Sequence, residues 1–414
     1  MKIAGIITEY NPFHNGHIKH IAKTKEITNA SHIISVMSGS FVQRGEPAII
    51  DKWSRAKTAI ENGVDLVIEL PFVYAAQSAE LFSYGAISIL DSLNIVDSVV
   101  FGSESGNICE IEEIADILLN ETPFFKKNLK DSLEIGKSFA VSRSIAIEKE
   151  LFRNNNQDFD IKSLVRGSNN ILGIEYLKAL KKLDSKISPI TYKRIGASYN
   201  SIEIKDNIAS ATGIRSLIKD QKFNILKDLI PESSYHNLLL FNKQYGKFNY
   251  LNNYSRIISY ILAISKKSEL IKIFDMEKGL ENRILQYSKE YSDIDNLISA
   301  ISSKRYPKTR ISRILIHLLI RLSKEEIVDI FNHRPKYIRI LASNKKGFEL
   351  INLIKNKSEI EIINKFSDVN KNIDSISKKM LSIEQTATDL YFLGLDLPKP
   401  LKGMDFSTSP YIRK

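Results

Sequence analysis

Residues 1–225 alternate two kinds of hydrophobic pattern. Short apolar runs rich in β-branched residues fall at 3–8, 32–37, 66–69, 98–101 and 190–192, the last directly after Pro189. Most are continuous rather than alternating, which predicts parallel strands buried on both faces. Between them, 54–62 and 79–92 repeat apolar positions at helical spacing. Strand, helix, strand in that order implies an α/β fold with a Rossmann-like, doubly wound parallel sheet. Ligands of such sheets bind beyond the carboxyl ends of the strands, so segments 8–16, 38–45 and 102–106 should share one rim.

After about residue 226 the pattern shifts to long helices with few strand signals, such as 254–264, 280–290 and 311–322. Pro231 and the Asn/Tyr/Gly-rich stretch 242–253 mark a plausible junction. The expectation is an α/β catalytic domain over 1–225 and a mainly α-helical domain over 226–414. No internal repeat or low-complexity tract interrupts either part.

Composition narrows the class. With 43% hydrophobic and 26% charged residues, the chain can build a sizeable core. No stretch approaches the roughly 18 apolar residues of a membrane span, and the first apolar run is too short for a signal peptide. The single cysteine, Cys109, leaves no internal disulfide or Cys-based zinc site, which fits a reducing cytoplasm. Charge is uneven: residues 1–150 carry a net −6, residues 151–230 a net +6 and residues 231–414 a net +11. A basic second half suits a polyanionic partner, although a lysine-rich solvated surface would give the same count.

Candidate chemistry concentrates after the first strand, in Thr8-Glu9-Tyr10-Asn11-Pro12-Phe13-His14-Asn15-Gly16-His17. Helical spacing resumes near Ile18. A helix start offers unpaired N–H groups and a positive dipole end to a phosphate, and Gly16 lets the backbone approach it. His14 and His17 can donate hydrogen bonds to phosphoryl oxygens as charge builds in a transition state, with Lys19 and His20 adding positive charge. Two histidines three apart also occur in metal sites, but those place them on a continuous helix with a Glu between, and no acidic third ligand stands nearby.

The His-Asn-Gly-His element resembles the HxGH superfamily of class I aminoacyl-tRNA synthetases and small-molecule adenylyltransferases. More closely, GIITEYNPFHNGHIKH, the long block from VMSGSFVQRGEPA to VIELPF, VVFGSES, SNNILGIEYLKAL, KRIGAS and ASATGIR resemble the bacterial tRNA(Met) cytidine acetate ligase family. TRISRILIHLL and YIRILAS are similar too, so the resemblance covers most of the chain. It implies an enzyme that uses ATP, with Mg²⁺, to activate acetate as acetyladenylate. The acetyl group then passes to N4 of the wobble cytidine of elongator tRNA(Met).

The resemblance maps ATP binding onto Ile7, Thr8, Glu9, Tyr10, Asn11, Pro12, Phe13, His14, Asn15, Gly16, His17, Ile18, Lys19 and His20, with His14 and His17 catalytic. It adds Gly102, Asn169 and Arg194, which serve equally as a turn glycine, a helix cap and a strand-end cation. Ser168 stands where the family usually has Pro. Ser210 and Thr212 resemble a phosphate-gripping helix start, though Ala211 replaces a second Ser and an ordinary capped helix reads the same way. The segment 43–46, at the end of the second strand, is expected on the substrate side. Trp53, Phe72 and Tyr74 read as packing, and His32, His236 and His333 have no catalytic pattern around them.

For the tRNA, Arg310, Arg313, His317 and Arg321 recur at helical spacing beside an apolar face, with Lys304, Arg305 and Lys308 leading in. A solvated basic face is the bland alternative. A cofactor-making adenylyltransferase is the rival enzyme and a non-catalytic RNA-binding module the third reading. A basic helical half is superfluous for a small substrate, and two intact histidines are superfluous for a module. The pattern leaves oligomeric state open.

Overall fold

The computed structural model describes residues 1–137, 139–153, 161–165, 167–194 and 209–414. The expected strands are present, several extended by a residue or two: β1 (Ile3–Thr8), β2 (His32–Ser38), β3 (Leu66–Leu70), β4 (Ser98–Ser103) and β5 (Ser188–Lys193). They run parallel in the order β3-β2-β1-β4-β5. Every residue of β2 and β3 is buried, as continuous apolar runs predict. Pro189 is accepted because β5 is the edge strand of this side.

The helices that place the site are α1 (Asn15–Thr28), α2 (Lys52–Glu61), α3 (Ala79–Ser92), α4 (Ser168–Lys182), α5 (Ala211–Lys219), α6 (Lys308–Ile320) and α7 (Ser375–Leu393). Residues after 226 are mainly helical, yet they also complete the sheet. β6 (Tyr337–Ser343) pairs antiparallel with β3, and β7 (Glu361–Ile363) and β8 (Tyr411–Ile412) pair parallel with β6. One hydrophobic core therefore includes Ile34, Leu66 and Leu90 together with Ile314, Ile340 and Leu381. Phe72 and Tyr74 are buried in it and Trp53 packs against it.

Where β3 meets β6, charge is buried. Lys52 Nζ lies 2.6 Å from Glu69, 3.2 Å from Glu384 and 2.8 Å from Asp405, and Arg339 pairs with Glu69 at 3.1 Å and with Asp405. None of the five residues is more than 2% exposed. Two cations face three acids. Burial beside Glu69 and Asp405 raises the Glu384 carboxyl's pKa, so it retains a proton and the cluster approaches neutrality. Glu384 also accepts from the Phe72 N–H at 2.6 Å. Removing one partner strands the others in a low dielectric, so Arg339→Ala should lower stability by about 3–5 kcal/mol. Urea unfolding of the variant checks this; a loss under about 1 kcal/mol, the range of exposed pairs, would show the cluster to be solvent-relaxed.

Candidate active site

β1 is the switch point of the sheet, because the chain adds β2 and β3 on one side of it and then crosses back to add β4 and β5 on the other. Beyond its end lies a cleft of about 560 Å³, within the usual range for a small-molecule site. Ile7, Thr8, Glu9, Tyr10, Asn11, His14, Gly16, His17, Lys19 and His20 line it, as do Gly102, Asn169, Arg194 and Ser210. The structure thus gathers most of the expected nucleotide residues in one place. Phe13 packs instead against Tyr10 and His17, and the Asn15 amide donates to the Asp228 carbonyl at 2.8 Å. Pro12, Ile18 and Thr212 also fall outside the cleft lining.

His14 is the N-cap of α1. Its Nδ1 accepts from the Gly16 N–H at 3.1 Å, and His17 Nδ1 accepts from the His14 N–H at 3.1 Å. The rings stack with centroids 3.8 Å apart. Two of the N–H groups expected to greet a phosphate are therefore taken by the histidines themselves. What they leave is better defined: an Nδ1 that accepts obliges a neutral ring to carry its proton on Nε2, so both rings offer an Nε2–H donor. Burial, with Arg194 and Arg215 near, lowers His14 to about 3, and burial beside His14 holds His17 well below 6.5. His20, bonded through Nδ1 to the Tyr192 hydroxyl at 2.8 Å, is lowered to about 4 by burial and Arg194. The expectation that His20 adds positive charge is thus corrected: it sits neutral, and the cationic groups on this side are Arg194 and lysines.

The β4–β5 side is built around a residue that sequence reasoning missed. Glu104 accepts from the Asn169 N–H at 3.1 Å, the Asn169 side-chain amide at 2.9 Å and the Asn170 N–H at 2.7 Å, capping α4. Asn169 Oδ1 in turn accepts from Arg194 at 3.0 Å. Its signal was the acid two residues past Gly102. Gly102 has only ordinary contacts at its Cβ position and a negative φ, so openness beside Tyr192 rather than backbone strain distinguishes it. The rest of the KRIGAS motif, residues 195–198, lies outside the described residues. Ser210 caps α5 through the Gly213 N–H, and Arg215 donates to the Asn11 carbonyl at 2.9 Å and reaches Glu46 at 3.5 Å.

The expected RNA face is only partly a surface. Arg321 is exposed, whereas Arg310 pairs with Asp275 at 3.1 Å and Glu277 at 3.4 Å. Arg313 is largely covered, 3.8 Å from Asp275. His317 is fully buried, with Nε2 donating to the Ala76 carbonyl at 2.9 Å, and cannot reach an RNA. It turns inward because the buried carbonyl of Ala76 needs a donor, which Nε2–H supplies. Lys304, Arg305 and Lys308 are exposed just before or at the start of the same helix. α6 abuts the cleft's edge: a Cβ on Gly45 would lie 2.3 Å from the Arg313 nitrogen.

The fold and the capped histidine pair define a nucleotidyltransferase. The chain belongs to the HIGH Nucleotidyl Transferase family, whose model matches residues 1–402. It is 44% identical over 407 residues, 98% of each chain, to the tRNA(Met) cytidine acetate ligase of Thermoanaerobacter sp. (strain X514). It is 43% identical over 416 residues, 100% of each chain, to the enzyme of that name from Clostridium perfringens (strain SM101 / Type A). Among solved structures it superposes with a TM-score of 0.92 on Thermotoga maritima TmcAL bound with alpha-thio ATP, at 31% identity and covering 100% of this chain and 99% of that one.

Buried neutral histidines carry a pH signature. Their folded pKa lies below the 6.5 of an unfolded histidine, so below about pH 6.5 the unfolded chain binds protons that the native chain refuses. Stability should fall as pH drops from 6.5 toward 4. The part due to His20 should vanish in His20→Gln, which urea midpoints at pH 7 and pH 5 would reveal as a smaller loss than in the unsubstituted protein. An identical loss in both would place no burden on His20.

Proposed function

We propose that this chain is a cytoplasmic, ATP-dependent tRNA-modifying ligase. It activates acetate as acetyladenylate, releasing diphosphate, and transfers the acetyl group to N4 of the wobble cytidine of elongator tRNA(Met). The observation that carries the reading is the histidine pair fixed with both Nε2–H groups as donors at the switch point of a cleft; α6, which an exposed basic segment leads into, meets Gly45, two residues from the cleft-lining Gln43. Full-length similarity to enzymes named for this substrate supports it.

A free carboxylate is a poor acyl donor until adenylated. In-line attack of acetate on the α-phosphorus needs little beyond positioning and donors aimed at the phosphoryl oxygens where charge accumulates. The Nε2–H groups of His14 and His17 are such donors, and Arg194 and Lys19 add fixed charge. The nucleoside would lie over Gly102 against Asn169, which Glu104 holds in place. Mg²⁺ would travel on the polyphosphate and water oxygens, as is usual for that ion; among the described residues no group of three His, Cys, Asp or Glu is arranged to hold a metal ion. No helix among them is long and apolar enough to cross a membrane.

The division of labour we propose follows the chain, with residues 1–225 holding the nucleotide and residues 226–414 presenting the RNA, on one continuous sheet. Lys304, Arg305 and Lys308, with Arg321 and the outer edge of Arg310, would meet phosphates. Reversing Arg310 or Arg313 would set like charges against Asp275, so the exposed lysines are the cleaner probes.

Purified protein with ATP and Mg²⁺ should catalyse ATP–diphosphate exchange stimulated by acetate, and should place labelled acetate on a cytidine of added tRNA, identified after nuclease digestion. Exchange indifferent to acetate would overturn the assignment. His14→Ala and His17→Ala should each slow exchange roughly 10²-fold. Each should also cost about 1 kcal/mol of stability, because the cap goes with the donor. Lys304→Glu combined with Lys308→Glu should weaken tRNA binding and flatten its salt dependence by about one logarithmic unit per lost phosphate contact. Unchanged affinity would remove this segment from the interface.

A further inference from the structure

We infer that Glu9 accepts the proton released when the cytosine amine attacks acetyladenylate, an assignment that rests on the ligase reading above. The sheet separates the two ends of the cleft. Gly102, Asn169 and Arg194 stand over β4 and β5, the histidines over β1, and Glu9 with the loop carrying Gln43 over the β2 side. With the nucleoside on one side and the α-phosphate at the histidines, the acyl group and the amine that attacks it are left the β2 side. The same side borders α6 through Gly45.

The second half-reaction has a definite requirement. The N4 lone pair attacks the acetyl carbonyl carbon, a C–N bond forms, the C–O bond to phosphate breaks, and AMP leaves with that electron pair. The amine nitrogen becomes positive as it bonds and must lose a proton. Neither histidine of the pair can take it, because Nδ1 of each already accepts a backbone N–H and Nε2 of each neutral ring carries its proton. His20 is bonded to Tyr192 on the nucleoside side. Among the described residues, two carboxylates line the cleft, Glu9 and Glu26. Glu26, near the end of α1, is paired with Lys23.

Glu9 is held as a base should be held. Its Oε1 accepts from the Gln43 N–H at 2.9 Å, and its own carbonyl accepts from Arg55 at 2.6 Å. The Gln43 side chain is tied in turn to the Gln77 carbonyl at 3.0 Å. The second carboxyl oxygen has no hydrogen-bond partner among the described residues. Around it stand Arg215 from α5, Arg55 from α2, and Arg44 and Glu46 from the loop after β2. Burial outweighs the Gln43 N–H and the Arg215 and Arg44 charges, raising the Glu9 pKa above the ordinary carboxylate value. A stronger base at neutral pH is the consequence.

The test is Glu9→Gln, which keeps an oxygen for the Gln43 N–H and removes the basic site. In single turnovers with preformed acetyladenylate and tRNA, acetylation should fall roughly 10²- to 10⁴-fold, the scale of a lost general base. In the unsubstituted protein, transfer should slow as pH falls through the raised Glu9 pKa, since only the ionised form accepts a proton; the variant should lack that limb. Glu9→Asp should recover part of the rate. Acetate-dependent ATP–diphosphate exchange, measured in parallel, locates the loss. An equal fall in exchange would place Glu9 in adenylation and overturn the assignment, as would full-rate transfer by Glu9→Gln. If the unsubstituted protein itself formed no acetylated nucleoside, the ligase reading would fail first.

Discussion

The structure is organised around five buried ionisable groups at the seam between two parts of the chain. Lys52 comes from α2, Glu69 from β3, Arg339 from β6, Glu384 from α7 and Asp405 from just beyond it. Desolvating such groups is costly, and an apolar seam of equal volume could be as stable. The cluster supplies register instead: Glu69 and Arg339 follow and precede the paired residues Ile68 and Ile340, and a one-residue slip would bury both unpaired. It also reaches the rim. A Cβ on Gly39 would fall 2.6 Å from Glu69 Oε1 and 2.9 Å from Glu384 Oε1, so the loop after β2 rests directly on the charges.

In the neighbouring loop after β1, the same two rings combine helix capping with the catalytic role proposed for them. A helix N-terminus usually takes a Ser, Thr, Asp or Asn side chain. Histidine in that role caps with one nitrogen and keeps the other for a ligand. Stacked at 3.8 Å under Tyr10 and Phe13, two protonated rings would repel at close range in a desolvated pocket, and the neutral pair avoids it. The arrangement gives directional donors without permanent charge, so the site is not designed to hold diphosphate, a product, as tightly as a pair of cations would.

The five parallel strands were legible because a strand buried on both faces leaves a continuous apolar run, and the glycine and polar residues at their ends mark the rim. β6 was harder to see. Tyr337–Ser343 is as buried as β2, but it carries Arg339, which reads as surface unless Glu69 and Asp405 are known to be opposite. The helix of Arg310, Arg313 and His317 failed for a related reason. Periodicity finds a polar stripe but not which way it faces, and the carbonyl of Ala76, 241 residues away, turns His317 inward. Glu104 lies in the VVFGSES motif, yet its role depends on where α4 begins relative to β4. In each case the missing information is a long-range polar partner, which composition and spacing do not encode.

Arg55 joins these pieces. Fully buried, it donates to the carbonyls of Glu9 and Ser38 at 2.6 and 3.0 Å, to that of Gly39 and to that of Ile50 at 3.2 Å. One guanidinium thus fixes the backbone of two rim loops, the one carrying Glu9 and the one resting on the charge cluster. A planar fork of donors suits this geometry and a lysine would not reproduce it. Through it, the position of Glu9 depends on the loop at Gly39, and that loop depends on carboxylates anchored by α7 and β6. On the assignment made above, the side of the cleft where the acyl group meets the RNA is therefore braced by the same half of the chain that presents the RNA, while the nucleoside side is braced separately by Glu104 and α4. Each half-reaction thus has its own support, and the histidine pair on β1 is the part they share.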